Sequence, residues 1–475
     1  MSNSSHRRLI SGPSGSAELG EVTLTPAGQV GAVVEGARKA QPSWAALPAW
    51  ERADILDAAA DLLARDEDAL GELLAAESGK PLEQARFEIH ASIGLMRANA
   101  DEVRRVGGRV LPTEWLGGTA SDLAYTRREP LGVVAAILPF NFPVELYVEK
   151  VAAALGGGNA VVVKPPVEDP LAVMRFHGAL HQAGVPPEIL VAVNGDRDVG
   201  AALAGASGVD AVSLTGSTGA GLAVAEAAVP TLRTLHLELG GNNGALVLED
   251  ADLDLVAPEM VRGRLMMNGQ ACSASKRIIV HRSLHDELAD RLATAARDQV
   301  VGPATDPGTT IGPLITPQAA ERVVAQAALA AEEGAELVAG ELTADGPWVS
   351  PMVLAGVPST AAVASDEEIF GPVFTLIPVD SVAEAVGVAN SSSFGLMGSV
   401  FSVDLPLAVA VAERLQCGGV VINGTDNYRP PNIPFHGVGL SGTGREGIGY
   451  TLEEMTREKT IVLRRFREPR GELDG

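Results

Sequence analysis

The pattern of apolar and polar positions divides the chain into a helical N-terminal part and a longer part in which strands and helices alternate. Apolar residues recur at helical spacing over residues 47–75 and again over residues 82–106. From residues 131–138 (LGVVAAIL) onward, short apolar runs typical of buried strands alternate with helical segments. Because this alternation is characteristic of parallel sheets with crossover helices, the sequence predicts an α/β fold.

The alternation further predicts two α/β lobes that meet at a hinge near Gly240. In the first lobe, strands are predicted at 131–138, 158–163, 189–193 and 211–214, and helices at 171–183, 199–204 and 222–228. In the second lobe, strands are predicted at 245–248, 277–280, 374–378 and 419–422, and helices at 284–300, 319–333 and 405–415. A last short strand at 460–466 is predicted to leave the body of the protein.

Composition excludes several classes of partner. The chain has 60 acidic and 36 basic residues, a formal net charge of −24, which repels nucleic acid phosphates and anionic membrane surfaces. No apolar run approaches the roughly 20 residues of a membrane span. Two cysteines do not build a disulfide framework, which favours a cytoplasmic location. The first ten residues contain two arginines and no apolar run, so we expect no secretory signal.

One cysteine lies in a sequence suited to nucleophilic chemistry. Cys272 is surrounded by small and polar residues, and Lys276 and Arg277 follow closely. Cationic neighbours lower the pKa of a thiol and favour the nucleophilic thiolate. The ordinary alternative is a cysteine that packs as a small apolar residue, and Cys417, at the start of an apolar strand, suits that alternative.

A glutamate and an asparagine are candidates for the accompanying roles. Glu238 lies between two leucines and before two glycines, so desolvation should raise its pKa toward the range of a general base. A strand carboxylate paired with a nearby base is the alternative. Asn141 lies in a turn between two prolines, where its amide could donate to an oxyanion or simply satisfy the carbonyls of the turn.

Two turns at predicted strand ends suit a nucleotide cofactor. Lys164 is followed by two prolines, and residues 215–221 (TGSTGAG) lead directly into a predicted helix. The free N–H groups and the dipole of a helix N-terminus suit a pyrophosphate. A glycine-rich turn that merely permits tight packing is the alternative.

Seven motifs, in order along nearly the whole chain, resemble the aldehyde dehydrogenase superfamily. They are PFNFP (139–143), GN before KP (158–165), GST with Gly221 (216–221), LELGG (237–241), GQAC (269–272), EIFGP (368–372), and PF (434–435) followed by SGTGRE (441–446). The 34 residues that separate Glu238 from Cys272 are the usual spacing of that family. The resemblance implies a hydrolytic, non-acylating NAD(P)-dependent aldehyde dehydrogenase.

The resemblance assigns a catalytic role to five residues. The Cys272 thiolate would attack the aldehyde, and the Asn141 amide with the Cys272 N–H would hold the resulting oxyanion. After hydride transfer to the nicotinamide, Glu238 would activate the water that hydrolyses the thioester. Lys150 and Glu446 match positions that would help a proton leave Glu238. For Glu446, an ion pair with Arg445 or another base is the alternative.

The resemblance also implies a cofactor site and no metal. Its candidate residues are Pro139, Phe140, Lys164, Pro166, Gly195, Gly216, Ser217, Leu239, Gly240, Glu368 and Phe370. Lys164 would contact the adenosine ribose and Glu368 the nicotinamide ribose. Val167 stands where many NAD-preferring members have a glutamate, and the missing carboxylate favours NADP slightly over NAD. Glu168 could reach the ribose instead, so both NAD and NADP stay open.

Five positions that flank the motifs are candidates for substrate contact: Phe142, Glu149, Ala271, Arg429 and Phe435. The charges of Glu149 and Arg429 suit a short polar or anionic aldehyde, unless these two residues pair with each other. Ala271 stands where phosphate-binding members often have an arginine. Because that arginine is missing, a phosphorylated aldehyde such as glyceraldehyde 3-phosphate is only the second candidate substrate. A non-enzymatic protein on the same fold is a further alternative.

The resemblance also implies three domains and an oligomer. Residues 1–110 and 131–239 would form the NAD(P)-binding domain, and residues 240–445 the catalytic domain. Residues 111–130 and 446–475 would form a small β extension. In the family the last strand pairs with a neighbouring subunit, so a homodimer or homotetramer is expected.

Overall fold

Two parallel sheets form the centre of the computed structural model, which describes residues 7–15, 18–115, 117, 119 and 121–466. All neighbouring strands of the first sheet are parallel, in the order Leu190–Ala192, Ala160–Lys164, Val133–Ile137, Ala211–Thr215 and Thr234–Glu238. The α/β prediction is therefore confirmed. The strand Thr234–Glu238 was not predicted, because a short run that contains a histidine and ends in a glutamate lacks the continuous apolar character of a buried strand.

Helices cover the first sheet, and their bounds are Val30–Ala45, Ala49–Leu63, Glu67–Ser78, Leu82–Arg105, Pro143–Gly156, Leu171–Ala183, Arg197–Gly205 and Thr218–Ala228. The helical stretch predicted over 47–75 is divided into two helices. The charged run 65–68 interrupts the apolar stripe, and the acidic Glu67 and Asp68 begin the second helix, where they stabilise its N-terminus.

The second sheet has seven strands in the order Glu336–Ala339, Met352–Ala355, Val373–Val379, Arg277–His281, Gly244–Val247, Met397–Phe401 and Gly419–Ile422. Only Glu336–Ala339 runs antiparallel to its neighbour. The covering helices are Leu253–Leu265, Arg282–Arg297, Pro317–Glu332, Val382–Ala389 and Leu405–Ala412. The four strands predicted for this lobe are present, and three further strands complete the sheet.

A small antiparallel sheet is separate from the two parallel sheets. It joins Val110–Leu111, Leu123–Pro130 and Thr456–Leu463, of which the last forms an edge. The predicted terminal strand thus begins four residues earlier than expected and ends at Leu463. The proposed division into domains stays a prediction, and residues 1–6 and 467–475 of it lie outside the described residues.

The remaining strands are the hairpin Arg7–Ser11 and Glu18–Thr23 and the short pairs Phe394–Gly395 with Val438–Gly439 and Phe435–His436 with Arg445–Glu446; a helix spans Tyr450–Glu454. Within the described ranges, none of the helices has the length and apolarity needed to cross a bilayer.

The loop that follows the second lobe lies along the end of strand Thr234–Glu238. The N–H groups of Thr443 and Gly444 donate to the carbonyl of Leu237 at 2.9 and 3.2 Å. Gly442 has φ +126°, and a Cβ there would lie 2.0 Å from the same carbonyl oxygen. Only glycine therefore permits this close approach, which brings the chain after residue 441 beside Glu238.

Two N-terminal side chains hold the C-terminal end of helix Pro143–Gly156. The indole N–H of the buried Trp44 donates to the carbonyl of Leu155 at 2.9 Å, and Arg52 Nε donates to the carbonyl of Gly156 at 2.9 Å. These bonds add side-chain donors at the helix end, where the Leu155 carbonyl also accepts from the N–H of Gly158 at 2.9 Å. They fix the position of a helix that carries two candidate site residues, Glu149 and Lys150.

We expect Trp44→Phe to destabilise the protein by roughly 1–3 kcal/mol, because the buried Leu155 carbonyl loses one of its two donors and the smaller ring leaves a cavity. The midpoint of denaturant unfolding measures the change. Trp50→Phe is the matched control, since Trp50 is 59% exposed and should give an unfolding midpoint near that of the wild type. Equal midpoints for the two variants would contradict the anchoring role of Trp44.

Candidate functional site

A cavity of about 540 Å³ opens between the two lobes and has both Cys272 and Glu238 on its wall. The wall also includes five other residues predicted for the site: Phe142, Leu239, Arg429, Phe435 and Glu446. Asn141 lies directly beside this wall, because its amide nitrogen donates to the carbonyl of Gln270 at 3.0 Å, two residues before the cysteine. The structure therefore brings together the predicted nucleophile, base and amide.

The loop before Cys272 has an unusual backbone. Met267, Asn268 and Gly269 are consecutive residues with positive φ, at 52°, 56° and 79°. The Asn268 amide donates to the carbonyl of Gly79 at 2.8 Å, and a Cβ on Gly269 would lie 2.2 Å from the carbonyl carbon of Gly371. Contacts from distant segments thus hold a conformation that L-residues seldom adopt.

Arg264 ties this loop to the segment after Glu368, and sequence reasoning missed it. Its fully buried guanidinium donates to the carbonyls of Gly269 at 3.0 Å, Ile369 at 2.8 Å and Val373 at 2.5 Å. Burial lowers its pKa to about 9. An arginine followed directly by Leu-Met-Met was the available indication, because a charge in apolar sequence is normally buried with partners.

The free thiol of Cys272 is harder to ionise than its sequence neighbours suggested. Burial raises its pKa to about 11, although Lys276 and Arg429 act in the opposite direction. The expectation that Arg277 favours the thiolate is wrong, because its guanidinium donates to backbone carbonyls, among them that of Asn242 at 2.6 Å. The Lys276 amine donates to the carbonyl of Cys272 itself at 2.7 Å.

Glu238 has a buried carboxyl group that no hydrogen bond stabilises in its charged form. The residue is 2% exposed, and neither carboxylate oxygen has a hydrogen-bond partner among the described residues. Burial raises its pKa well above the ordinary value, the negative charge of Glu446 adds to this, and Lys150 and Arg429 oppose it. The raised pKa agrees with the expectation from its apolar sequence neighbours.

Glu446 has the opposite electrostatic environment. Lys150 Nζ lies 2.8 Å from Oε1 and Arg429 Nη2 lies 2.6 Å from Oε2, and the carboxylate is fully buried. Burial opposes ionisation, but the two cations lower the pKa of Glu446 to about 2. Arg445, proposed as its alternative partner, pairs instead with Glu454 at 3.0 Å.

The two charged positions predicted in the tunnel do not pair with each other. Arg429 stacks on the Phe435 ring at 4.2 Å and lies 3.9 Å from Glu145, whereas Glu149 accepts from the N–H of Gly447 at 2.8 Å. Glu149 also accepts from the Thr451 hydroxyl, and it is not on the cavity wall. One turn earlier on the same helix, Glu145 faces the cavity in its place.

Ala271 is likewise buried and off the cavity wall, because its loop turns the neighbouring Cys272 toward the cavity. Phe142 does line the cavity. The buried Lys80 lies 4.0 Å from the centre of its ring and forms an ion pair with Glu88. Glu88 also accepts from the N–H of Val144 at 3.0 Å, at the start of helix Pro143–Gly156, where a carboxylate stabilises the helix dipole.

Nine of the candidate cofactor residues follow the carboxyl ends of the strands in the first sheet: Pro139, Phe140, Lys164, Pro166, Gly195, Gly216, Ser217, Leu239 and Gly240. Ligands bind at this edge of parallel sheets. The Ser217 hydroxyl accepts from Ala220 N at 3.3 Å and caps helix Thr218–Ala228, whose N-terminus therefore faces the same edge.

The other two cofactor candidates come from the second lobe and face the first. Glu368 accepts from Gly241 N at 3.3 Å, and a Cβ on Gly240 would lie 2.5 Å from its other carboxylate oxygen. The rings of Phe140 and Phe370 meet edge to face at 6.1 Å. Aromatic faces, a carboxylate and a helix N-terminus at one edge fit a nicotinamide dinucleotide. The described residues contain no group of three His, Cys, Asp or Glu side chains that could hold a metal.

Comparison with known proteins supports this interpretation. The model described as "Aldehyde dehydrogenase family" matches residues 2–461. A betaine aldehyde dehydrogenase from Rhizobium leguminosarum bv. trifolii is 37% identical, with 90% of this chain and 88% of that protein covered. An NADP-dependent glyceraldehyde-3-phosphate dehydrogenase from Streptococcus equinus is 36% identical over 96% of this chain and 95% of that protein.

A solved structure extends the likeness to the fold. The NADP-dependent glyceraldehyde-3-phosphate dehydrogenase from Bacillus halodurans C-125, complexed with NADP, superposes with a TM-score of 0.93 at 36% identity. The match covers 97% of this chain and 96% of that one.

We expect Glu446→Gln to destabilise the protein by about 3–5 kcal/mol at neutral pH, because it leaves the buried Lys150 without its counterion. The folded pKa of about 2 lies below the ordinary 4.5, so the stabilisation is complete above about pH 4.5 and is lost as the pH falls toward 2. The free-energy difference between wild type and variant, measured by denaturant unfolding, should shrink over that range.

Glu458→Gln provides the control, because Glu458 forms a half-exposed ion pair with Arg109 at 2.9 Å. Its removal should cost less than about 1 kcal/mol. A Glu446→Gln protein as stable as this control would refute the buried triad.

Proposed function

Since the chain belongs to the aldehyde dehydrogenase family and catalyses NAD(P)-dependent aldehyde oxidation, we propose that it works through a thioester on Cys272. One observation carries this proposal: a cysteine and a buried glutamate without a hydrogen-bond partner face the same cavity. Covalent oxidation followed by hydrolysis needs a nucleophile and a base at one carbonyl.

In the proposed reaction the Cys272 thiolate attacks the aldehyde carbon, a C–S bond forms, and the carbonyl electron pair moves to oxygen. The amide of Asn141, already beside Gln270, and the N–H of Cys272 stabilise that oxyanion. A bound nicotinamide, held by Glu368 and Phe370, would supply the acceptor for the hydride lost from this carbon, and that loss would convert the adduct into a thioester. Glu238 then removes a proton from water, the hydroxide attacks the thioester carbon, and the C–S bond breaks to release the thiolate and the carboxylic acid, which loses its proton to water.

The environment of Glu238 suits a general base. Burial raises its pKa well above the ordinary value, and a carboxylate with a higher pKa accepts a proton from water more readily. Its proton must then leave the cavity. The charges of Glu446, Lys150 and Arg429 all act on the carboxyl group of Glu238. We assign to Lys150 and Glu446 the role of assisting the departure of the proton.

The charges around Arg429 support a short polar or anionic aldehyde as substrate. Arg429 shares the cavity wall with Cys272, and its second carboxylate contact, to Glu145, is long at 3.9 Å. Burial raises the pKa of Glu145, which lowers the free-energy cost of protonating this carboxyl group when a substrate anion competes with it for Arg429. A flat guanidinium stacked on Phe435 presents its edge to such an anion.

A phosphorylated aldehyde is the second candidate, and the similarity to glyceraldehyde-3-phosphate dehydrogenases favours it. A phosphate dianion normally requires more than one cation. Arg262, the other arginine on the wall, already pairs with Glu259 at 2.5 Å. The monoanionic substrate therefore remains the first choice.

We propose a slight preference for NADP. Val167 places no carboxylate near the buried Lys164, and the nearby Asp196 is neutralised by a two-pronged ion pair with Arg8 at 2.8 Å. Near Lys164, a 2′-phosphate is thus repelled by the exposed Glu168 and by Asp198 and attracted by Lys164 itself. Comparison of KM for NAD and NADP tests the preference.

We further propose a cytoplasmic homodimer or homotetramer. Strand Thr456–Leu463 is the edge of the small sheet, and Val462, which is 52% exposed, together with Leu463 presents apolar surface there. An open edge with apolar side chains is a ready site for pairing with a second subunit.

We expect Glu238→Gln to give a burst of about one equivalent of reduced cofactor per subunit and then stall, because the thioester forms but is not hydrolysed. Rapid-mixing absorbance of reduced cofactor measures the burst. Cys272→Ala should bind cofactor and show neither burst nor turnover, and Cys417→Ala should behave as the wild type. Absence of a burst in Glu238→Gln, with aldehyde still bound, would show that Glu238 acts before hydrolysis.

We expect Arg429→Met to lower kcat/KM for carboxylated and phosphorylated aldehydes about 10- to 100-fold more than for a neutral aldehyde of similar length. The neutral aldehyde corrects for the effect of the lost arginine on Glu446. Glu145→Gln is the companion variant and should leave the preference for anions in place. Suppose instead that Glu145→Gln selectively lowers kcat/KM for cationic aldehydes, and that Arg429→Met lowers kcat/KM equally for anionic and neutral aldehydes. Glu145, and not Arg429, would then be the residue that recognises the substrate charge.

Substitution of Val462 by arginine should lower the mass of the protein measured by light scattering, because charge repels the partner edge. Val300→Arg is the matched control, since Val300 is 53% exposed outside the small sheet. An unchanged mass for Val462→Arg would exclude this edge as the contact.

A further inference from the structure

The buried Lys276 connects three parts of the active site through one ammonium group. Its side chain is 1% exposed. Its Nζ lies 2.6 Å from the carbonyl oxygen of Gly241, 2.7 Å from that of Cys272 and 2.9 Å from Oε1 of Glu368. An ammonium has three N–H donors, and these three acceptors use all of them.

The three acceptors have different functions. Gly241 lies in the turn after Glu238, and Cys272 is the nucleophile. Glu368 is the carboxylate that we assign to the nicotinamide ribose, and its side chain is 20% exposed, so it is accessible from the cofactor edge. Lys276 therefore touches the base turn, the nucleophile loop and the cofactor carboxylate at the same time.

Glu368 at present neutralises Lys276. A carboxylate at 2.9 Å cancels most of the field of an ammonium in a buried site. The charged groups that act on the Cys272 sulfur are Lys276 and Arg429, which favour the thiolate, and Glu368 and Glu238, which oppose it. If the ribose hydroxyls draw Glu368 away, the charge of Lys276 is no longer cancelled, and the ammonium stays beside the cysteine through its backbone bond.

We propose that Lys276 is a positioning residue that makes the reactivity of Cys272 depend on engagement of Glu368 by the ribose of the cofactor. This inference rests on the ribose role of Glu368 in the proposed function. It means that the free enzyme keeps its cysteine largely as the unreactive thiol, and that the thiolate forms once the oxidant is in place. No aldehyde would then be trapped as a dead-end adduct before a hydride acceptor is bound.

The test is the pH dependence of alkylation of Cys272 by iodoacetamide in the full-length protein, with and without saturating NADP. A Cys417→Ala background leaves Cys272 as the cysteine that reacts. NADP should accelerate alkylation of this background protein about tenfold near pH 7, the effect of roughly one pKa unit. Lys276→Met should abolish the acceleration, and Lys276→Arg should restore part of it.

Glu368→Gln keeps the inference testable if Lys276→Met does not fold. Without its carboxylate, the charge of Lys276 is permanently uncancelled, so the cofactor-free variant should already react about as fast as the wild type with NADP. NADP binding to each variant is measured separately by quenching of tryptophan fluorescence. A merely structural lysine would alter stability without removing the response to NADP.

Two results would overturn the inference: NADP has no effect on alkylation of the Cys417→Ala protein, or Lys276→Met binds NADP and keeps the full acceleration. Neither result affects the thioester mechanism, which the burst of Glu238→Gln tests independently. Failure of that burst with a normal alkylation response would instead reject the proposed hydrolysis and leave the role of Lys276 standing.

Discussion

The buried carboxylate of Glu446, held between Lys150 and Arg429, is the interaction on which the rest of the site depends. A charge without water needs partners at hydrogen-bonding distance, and here each carboxylate oxygen has its own cation. Lys150 lies on a helix of the first lobe, whereas Arg429 lies on a loop after the second sheet and Glu446 in the short strand Arg445–Glu446 that follows it. One ion triad therefore fixes the lobes relative to each other at the cavity.

The same triad causes the pKa values of two carboxyl groups in one cavity, Glu446 and Glu238, to shift in opposite directions. Glu446 is compensated and stays ionised, whereas Glu238 has no hydrogen-bond partner among the described residues and has the charge of Glu446 nearby. The difference arises from partners rather than from burial, since both groups are almost completely inaccessible. Environments that push two pKa values apart give the two groups different chemical roles.

Local sequence predicted the fold and the residues that act through their own chemistry, but it did not predict their partners. The apolar runs of the parallel strands and the helix periodicity depend on neighbouring residues, so the lobes were recognised. Lys150 and Glu446 are separated by 296 positions, and no local pattern indicates that they meet. Local sequence also could not decide whether Glu149 pairs with Arg429. The register of the helix places Glu145 toward the arginine instead.

Residues that hold the backbone were the hardest to predict. Local sequence does not show what Arg264, Lys80 and Arg277 contact: each is buried and binds backbone carbonyls or an aromatic ring in a distant segment. The strand that ends at Glu238 was also missed, since its polar residues are satisfied by tertiary contacts such as the bond between His236 and Ser213.

The three residues with positive φ before Cys272 also limit when their loop can fold as the chain is synthesised. Their conformation is held by contacts with Pro313 and Gly371, which leave the ribosome long after the cysteine does. A nascent chain that has passed residue 272 but not residue 371 can form the bond to Gly79 but lacks the contact with Gly371. The turn before the thiol therefore gains its full set of contacts only after residue 371 has been synthesised, so a product truncated before that point would carry the nucleophile without its complete loop geometry.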